Sequence, residues 1–211
     1  MKAISKIKFS HLLKALSLLC LAPVYACSAA NSGIYKQLMI AVTPQHQVKG
    51  FFHQPPEEGT NQNCIFWFNG QLDNNGMAKI TSWSTQVLPG NVQFKEQQIE
   101  ITLPHGQQHA GCMNTLLPEI ETGEIWSLTD TTNWVDLVTI TQEKARMYRE
   151  HDIHSKSPGY VVKGDTLGLL QRKADWSQVE YINDAGKHLT GWIKNSDYQS
   201  LSSGDASAKA K

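Results

Sequence analysis

The sequence predicts an all-β protein, with an N-terminal antiparallel β-barrel followed by a second, smaller barrel. Three observations carry this. Between Gly33 and about Ile140, β-branched and aromatic residues come in runs of four to nine, each bounded by turn formers. No stretch beyond the first 26 residues sustains a helical period apart from a single short turn. From Ala145 onward the strand-and-turn cadence resumes at the spacing of a five-stranded barrel.

The first barrel is assigned to residues 33–141. Its strands are Ile34 to Val42, Gln47 to Phe52, Cys64 to Asn69, Ala78 to Trp83, Gln98 to Leu103 and Glu124 to Leu128. The segments Thr43-Pro44, Pro55 to Gly59, Asp73-Asn74-Asn75-Gly76 and Leu88-Pro89-Gly90-Asn91 are read as turns because Pro, Gly, Asn and Asp supply turn dihedrals at low cost. Regular spacing of this kind suits an antiparallel sandwich or barrel. Cys64-Ile65-Phe66-Trp67-Phe68 is apolar on both faces, so it is expected in the middle of the sheet, covered on both sides. A strand lining a ligand cavity is the other reading of the same run.

The chain opens with Lys2, Lys6, Lys8 and Lys14 ahead of the apolar run Ala15 to Ala26, the layout of a secretory signal peptide over residues 1–26. That run falls short of the roughly 20 apolar residues a spanning helix needs. The leader holds four lysines and no acid, so of 19 basic residues fifteen remain against 19 acidic ones. A mildly acidic mature chain without a basic cluster argues against nucleic acid as a partner. Membrane contact is expected only through a lipid at the N-terminus.

Cys20 lies within the leader, which leaves Cys27, Cys64 and Cys112. Cys27 follows Val24-Tyr25-Ala26 in the manner of a bacterial lipobox and is the candidate for lipidation, although Tyr25 is bulkier than the small residue usual there. The alternative is ordinary cleavage after Ala26 or within Cys27-Ser28-Ala29-Ala30. Once Cys27 is lipidated or trimmed, an oxidising compartment makes a Cys64 to Cys112 disulfide the expectation.

The second module is assigned to residues 143–200 and the remainder, 201–211, to a disordered tail, because Ser202 to Lys211 offers nothing to bury. The join falls between Thr129 and Glu143, where Trp134 to Ile140 either ends the first domain or leads into the second. With no Gly/Ser/Pro-rich linker, the two are expected to pack together.

Ala145 to Tyr148, Tyr160-Val161-Val162-Lys163-Gly164-Asp165, Asp175-Trp176-Ser177-Gln178-Val179 and Gly191-Trp192-Ile193-Lys194 together resemble the bacterial SH3 (SH3b) module. Gly33-Ile34-Tyr35, Gly50-Phe51-Phe52, Cys64 to Gly70 and His109-Ala110-Gly111-Cys112 look like the core signals of a lipocalin-like or calycin-like barrel found ahead of SH3 modules in uncharacterised bacterial exported proteins. The resemblance implies the same disulfide and a recognition role, with no activity attached.

Strand alternation assigns faces in the second module. Val179 and Tyr181 share the core face, and Trp176 sits with Gln178 and Glu180 on the other. Leu189 and Ile193 point one way, and Trp192 lies with Thr190 and Lys194 opposite. Trp176 and Trp192 are therefore the candidate binding residues, extended by Tyr148 and Tyr160, in the way SH3 aromatics form shallow grooves for extended peptides. The competing reading has both tryptophans covering the module against the first barrel.

His105, His109 and Cys112 form an H-x3-H-x2-C spacing that offers three zinc ligands or a thiol beside an imidazole. With Cys64 available for oxidation, a disulfide is the better use of Cys112. His151-Asp152-Ile153-His154 reads as a solvated loop. No catalytic residue, metal or cofactor is therefore assigned. The expected function is non-enzymatic binding of peptidoglycan or an envelope protein from an exported position in the periplasm or cell envelope. The rivals are a periplasmic inhibitor or immunity protein against a hydrolase or toxin, and a small-molecule carrier using the barrel around Phe66 and Phe68.

Overall fold

A computed structural model describes residues 30–56, 59 and 63–202. The signal peptide, Cys27 and the tail beyond Ser202 lie outside the described residues. Eight strands close into an up-and-down barrel in which every neighbour is antiparallel: β1 (Gly33–Tyr35), β2 (Leu38–Val42), β3 (Gln47–Gln54), β4 (Cys64–Leu72), β5 (Met77–Trp83), β6 (Val87–Lys95), β7 (Gln98–Thr102) and β8 (Glu124–Thr131). β1 pairs β8 to complete the ring.

The expected strand Ile34 to Val42 is two strands, because Lys36 adopts a left-handed φ of 57° and turns the chain at Lys36-Gln37. The turn at Asp73 to Gly76 is held as expected, with Asp73 Oδ1 accepting the backbone N–H groups of Asn75 and Met77 at 2.8 and 2.9 Å. Leu88-Pro89-Gly90-Asn91, read as a turn, is instead the first half of β6. Pro89 is tolerated there because it pairs only with Thr81 of β5, and the β7 ladder begins two residues later at Asn91.

Inward-facing side chains fill the barrel. Phe52 stacks on Phe66 and leans on Trp126, with ring centroids 5.0 and 5.4 Å apart, and Tyr35 meets Phe94 edge-on. Gly50 pairs Phe68, and a Cβ there would stand 2.2 Å from the Phe68 ring, so the glycine makes the floor on which that ring lies. One end of the barrel is covered by the long β7–β8 connection, whose Leu116 and Ile120 join the core. The Cys64–Cys112 disulfide ties this connection to the start of β4. Closing a loop with 48 residues of sequence separation stabilises by about 4 kcal/mol in the chain-entropy account.

A second sheet of seven strands curves into a half-barrel in the order β11-β10-β14-β13-β12-β9-β15. Its strands are β9 (Asp136–Ile140), β10 (Lys144–Tyr148), β11 (Lys156–Val162), β12 (Thr166–Lys173), β13 (Trp176–Ile182), β14 (His188–Lys194) and β15 (Tyr198–Ser200). Its own core holds Val138, Met147, Val161, Leu167, Val179 and Ile193. β9, which the 33–141 bound counts with the first domain and which the sequence reads as ending that domain or leading into the second, pairs β12 and β15, so the sheets divide between Thr131 and Asp136. Leu201, assigned to the tail, is buried, and its N–H reaches Leu137 O.

The two units are docked through an apolar layer. Met39, Phe51, Trp67 and Trp83 are consecutive cross-strand neighbours on the outside of β2 to β5, and they meet Trp134, Leu137 and Leu201. Trp67, Trp83 and Trp134 are each at most 5 % exposed. This explains the two apolar faces of Cys64 to Phe68: Phe66 and Phe68 enter the barrel, and Trp67 faces the second unit. Trp134 lies against Gly168, where a Cβ would come within 2.2 Å of the indole nitrogen. The layer encloses the ion pair of Lys49 Nζ with Asp136 Oδ1 at 2.7 Å; the half-exposed Arg172 reaches the other oxygen of Asp136 at 3.4 Å, and the Ser200 hydroxyl and the Leu137 N–H donate to the same carboxylate.

Candidate functional site

Three neighbouring strands deliver three of the four expected binding residues to one face. β14 carries Trp192, paired across to Tyr148 of β10 on one side and Gln178 of β13 on the other. Trp176, two residues before Gln178, therefore projects on the same side of the sheet. Its ring meets Tyr148 edge-on at 4.8 Å, an arrangement favoured by the aromatic quadrupole. Lys194 Nζ stands 5.9 Å from the Trp176 ring centre. Neither tryptophan belongs to the layer between the units, which is built from Trp67, Trp83 and Trp134.

The exposure of the site differs from the alternation reading. Trp176 is half-buried, as a shallow groove requires, but Trp192 is only 9 % exposed. The reason is His151, whose ring lies 5.1 Å from Trp192 and which the sequence offered only as a solvated loop residue. Its position depends on the turn Glu150 to Ser155, closed by Ser155 Oγ donating to Glu150 O and Asp152 O. A histidine three residues beyond the end of one strand could be matched to an indole on another only through the fold. Tyr160 stands apart on β11, the edge of the sheet, 51 % exposed beneath Lys144 Nζ at 3.8 Å. Val179 and Ile193 occupy the core as expected, whereas Leu189 is 39 % exposed because it lies toward the far end of the β13–β14 hairpin.

The site is thus an aromatic groove in which Tyr148 and Trp192 are buried and Trp176 is half-buried, with the cation Lys194 and His151 beside it. Such a surface suits flat or extended partners that stack on indole and carry carboxylates or amides.

His105, His109 and Cys112 are not drawn into a common group. Cys112 is bonded to Cys64. His109 is buried with both ring nitrogens occupied, Nε2 by Ser82 Oγ at 2.9 Å and Nδ1 by Ser84 Oγ at 3.0 Å. It stacks on Phe66 at 5.2 Å, and burial lowers its pKa to about 4. Among the described residues, no group of three or more His, Cys, Asp or Glu side chains is placed to hold a metal ion. Two serines 27 and 25 residues upstream hold this imidazole, and nothing near His109 in the sequence points to them.

No protein-family model and no curated protein sequence matches this chain.

Proposed function

We propose that this protein is a non-enzymatic binding protein of the cell envelope, exported by its leader, whose SH3-like second module recognises a peptide, a protein or peptidoglycan. The observation that carries this reading is the convergence of Tyr148, Trp176 and Trp192 outside the layer that docks the two units, with Trp176 half-buried. Three further features support it. The Cys64–Cys112 disulfide agrees with an oxidising compartment. Phe66 and Phe68 are fully buried among other core side chains, so the surface is a better place for recognition than the region a carrier would use. The Lys194 cation beside Trp176 matches the carboxylates of wall peptides.

A second reading, inhibition of a cell-wall hydrolase, is favoured by one observation. The disulfide staples the β7–β8 connection, and on it Met113 and Leu117 are 70 % and 55 % exposed. Apolar residues on a tethered loop suit insertion into an enzyme cleft.

One pulldown separates the readings. The chain without its leader is incubated with purified peptidoglycan and with envelope extract, beside a Trp176→Ala, Lys194→Glu variant whose fold is checked by circular dichroism. Trp176 is chosen over Trp192 because it is half-buried and its loss spares the core. Retention on peptidoglycan that the variant loses supports wall binding. Recovery of a hydrolase by both proteins, with no wall retention, moves the function to the Met113 loop. Equal retention of both proteins on the wall refutes the aromatic groove.

A further inference from the structure

We propose that the cleft between the barrel and the β13–β14 turn is a binding site for a compact primary amine with an aromatic or branched aliphatic body. The cleft measures about 250 Å³ and is lined by both units, the boundary position that ligand sites favour. Drug-sized pockets begin at about 300 Å³, so the occupant is smaller than that class. Its floor is apolar: Ile34 and Met39 come from the β1–β2 hairpin, Phe51 from β3 and Ile182 from β13. Phe51 stacks on Trp67 at 5.5 Å, which fixes the ring as a flat wall.

Beside the Gln37 and Asn183 amides, two histidines and Asp184 bring acceptors to this floor. His188 Nδ1 lies 3.1 Å from Glu180 Oε1, so the neutral ring keeps its proton there and turns an acceptor Nε2 outward. The nearest carboxylate to that nitrogen is Asp130, at 3.8 Å, beyond hydrogen-bond reach. His53 is arranged in the same way, with Nε2 against Asn63 Oδ1 at 2.9 Å and Nδ1 at 3.8 Å from Asp184. The lining contains one cation, Lys36, and it is already bound to Glu124 at 2.7 Å. Lys187 belongs to the same turn but not to the lining.

Asp184 is therefore the uncompensated charge of the cleft, its side chain 72 % exposed. Its field reaches its neighbours. Burial raises Asp165 above the usual carboxylate range, the Val162 N–H opposes this, and the Asp184 charge adds to it. Tyr181 is raised by burial and then by the charges of Asp165 and Asp184. An ammonium group near Asp184 relieves that crowding, while His53 and His188 accept its remaining hydrogens.

The test uses the two-unit protein at pH 8, above the ordinary imidazole range. Three probes share one body and differ in their head: 2-phenylethylamine, 2-phenylethanol and 3-phenylpropionate. Titrations followed by backbone amide shifts are expected to rank the amine first and the carboxylate last, with the amine binding in the region of ~1 mM or tighter. Asp184→Asn is expected to weaken the amine by about fivefold, the upper value for an exposed ion pair, and Asp184→Glu to restore most of it. The proposal is overturned if the carboxylate ranks first, if the amine produces no shifts at the highest concentrations, or if Asp184→Asn leaves its affinity unchanged.

Discussion

Acidification should loosen this protein through His109. Its pKa, lowered by burial from 6.5 to about 4, means that the unfolded chain takes up a proton on this residue well before the folded one does. A depressed imidazole stabilises fully above the unfolded value and loses that contribution as pH falls from about 6.5 toward 4, below which both states are protonated and the effect is spent. At 1.36 kcal/mol per pKa unit, the whole window is worth roughly 3 kcal/mol, of which about 2 kcal/mol is gone by pH 5. The structural cause is that the ring lies on Phe66 with a serine hydroxyl at each nitrogen and no carboxylate within its hydrogen bonds. The assay is urea unfolding followed by tryptophan fluorescence at pH 7.5 and 5.0, for the protein and for His109→Gln, which bonds to serines but does not titrate. The variant is expected to be less stable at pH 7.5 and to lose about 2 kcal/mol less on acidification. Other titrating groups are common to both proteins, so parallel pH profiles would refute the reasoning.

Two further outcomes follow from the layer between the units. Gly168→Ala forces a methyl into the Trp134 ring and should cost about 1–3 kcal/mol, the range of an overpacked core site; thermal unfolding checks it, and Gly159→Ala, whose Cβ would meet nothing closer than 3.7 Å, serves as the control. Lys49→Met takes away the closest cation of Asp136 and leaves it Arg172 at 3.4 Å, so it should destabilise by about 1–3 kcal/mol, less than a fully unpaired buried charge, whereas the Lys49→Met, Asp136→Leu pair should recover part of that loss; a double-mutant cycle by urea unfolding reads the difference.

The strand rhythm of the barrel was legible because inward and outward residues alternate and its turns use Asp, Asn, Gly and Thr. What misled was chemistry whose meaning depends on a neighbour. Pro89 and Gly90 spell a turn in isolation, yet they stand in β6 where only one side of the strand is paired. Ile65 and Trp67 signalled a strand in the middle of the sheet, covered on both sides, and β4 lies between β3 and β5; that the second cover is another sheet could not be read from them. β9 carries Leu137 toward the docking layer and Val138 toward the second core, so its apolar content could not say which unit owned it. At the aromatic groove, alternation put Trp176 and Trp192 on one face, and Tyr148 follows from the register of β10 on β14. His151 came from a loop whose direction is set by hydrogen bonds that no periodicity encodes.

The pairing of β9 with β15 sets the order in which this chain can become soluble. β9 is the first strand of the second sheet and β15 the last, and Leu201, directly after β15, is part of the same apolar layer as Trp67 and Trp83. A chain emerging N-terminus first can close its barrel while still carrying Met39, Phe51, Trp67 and Trp83 as a greasy belt. Only when the last strand has been delivered does that belt find its full cover. A chain cut ahead of residue 198 would lack β15 and Leu201 and would leave part of that belt open to self-association.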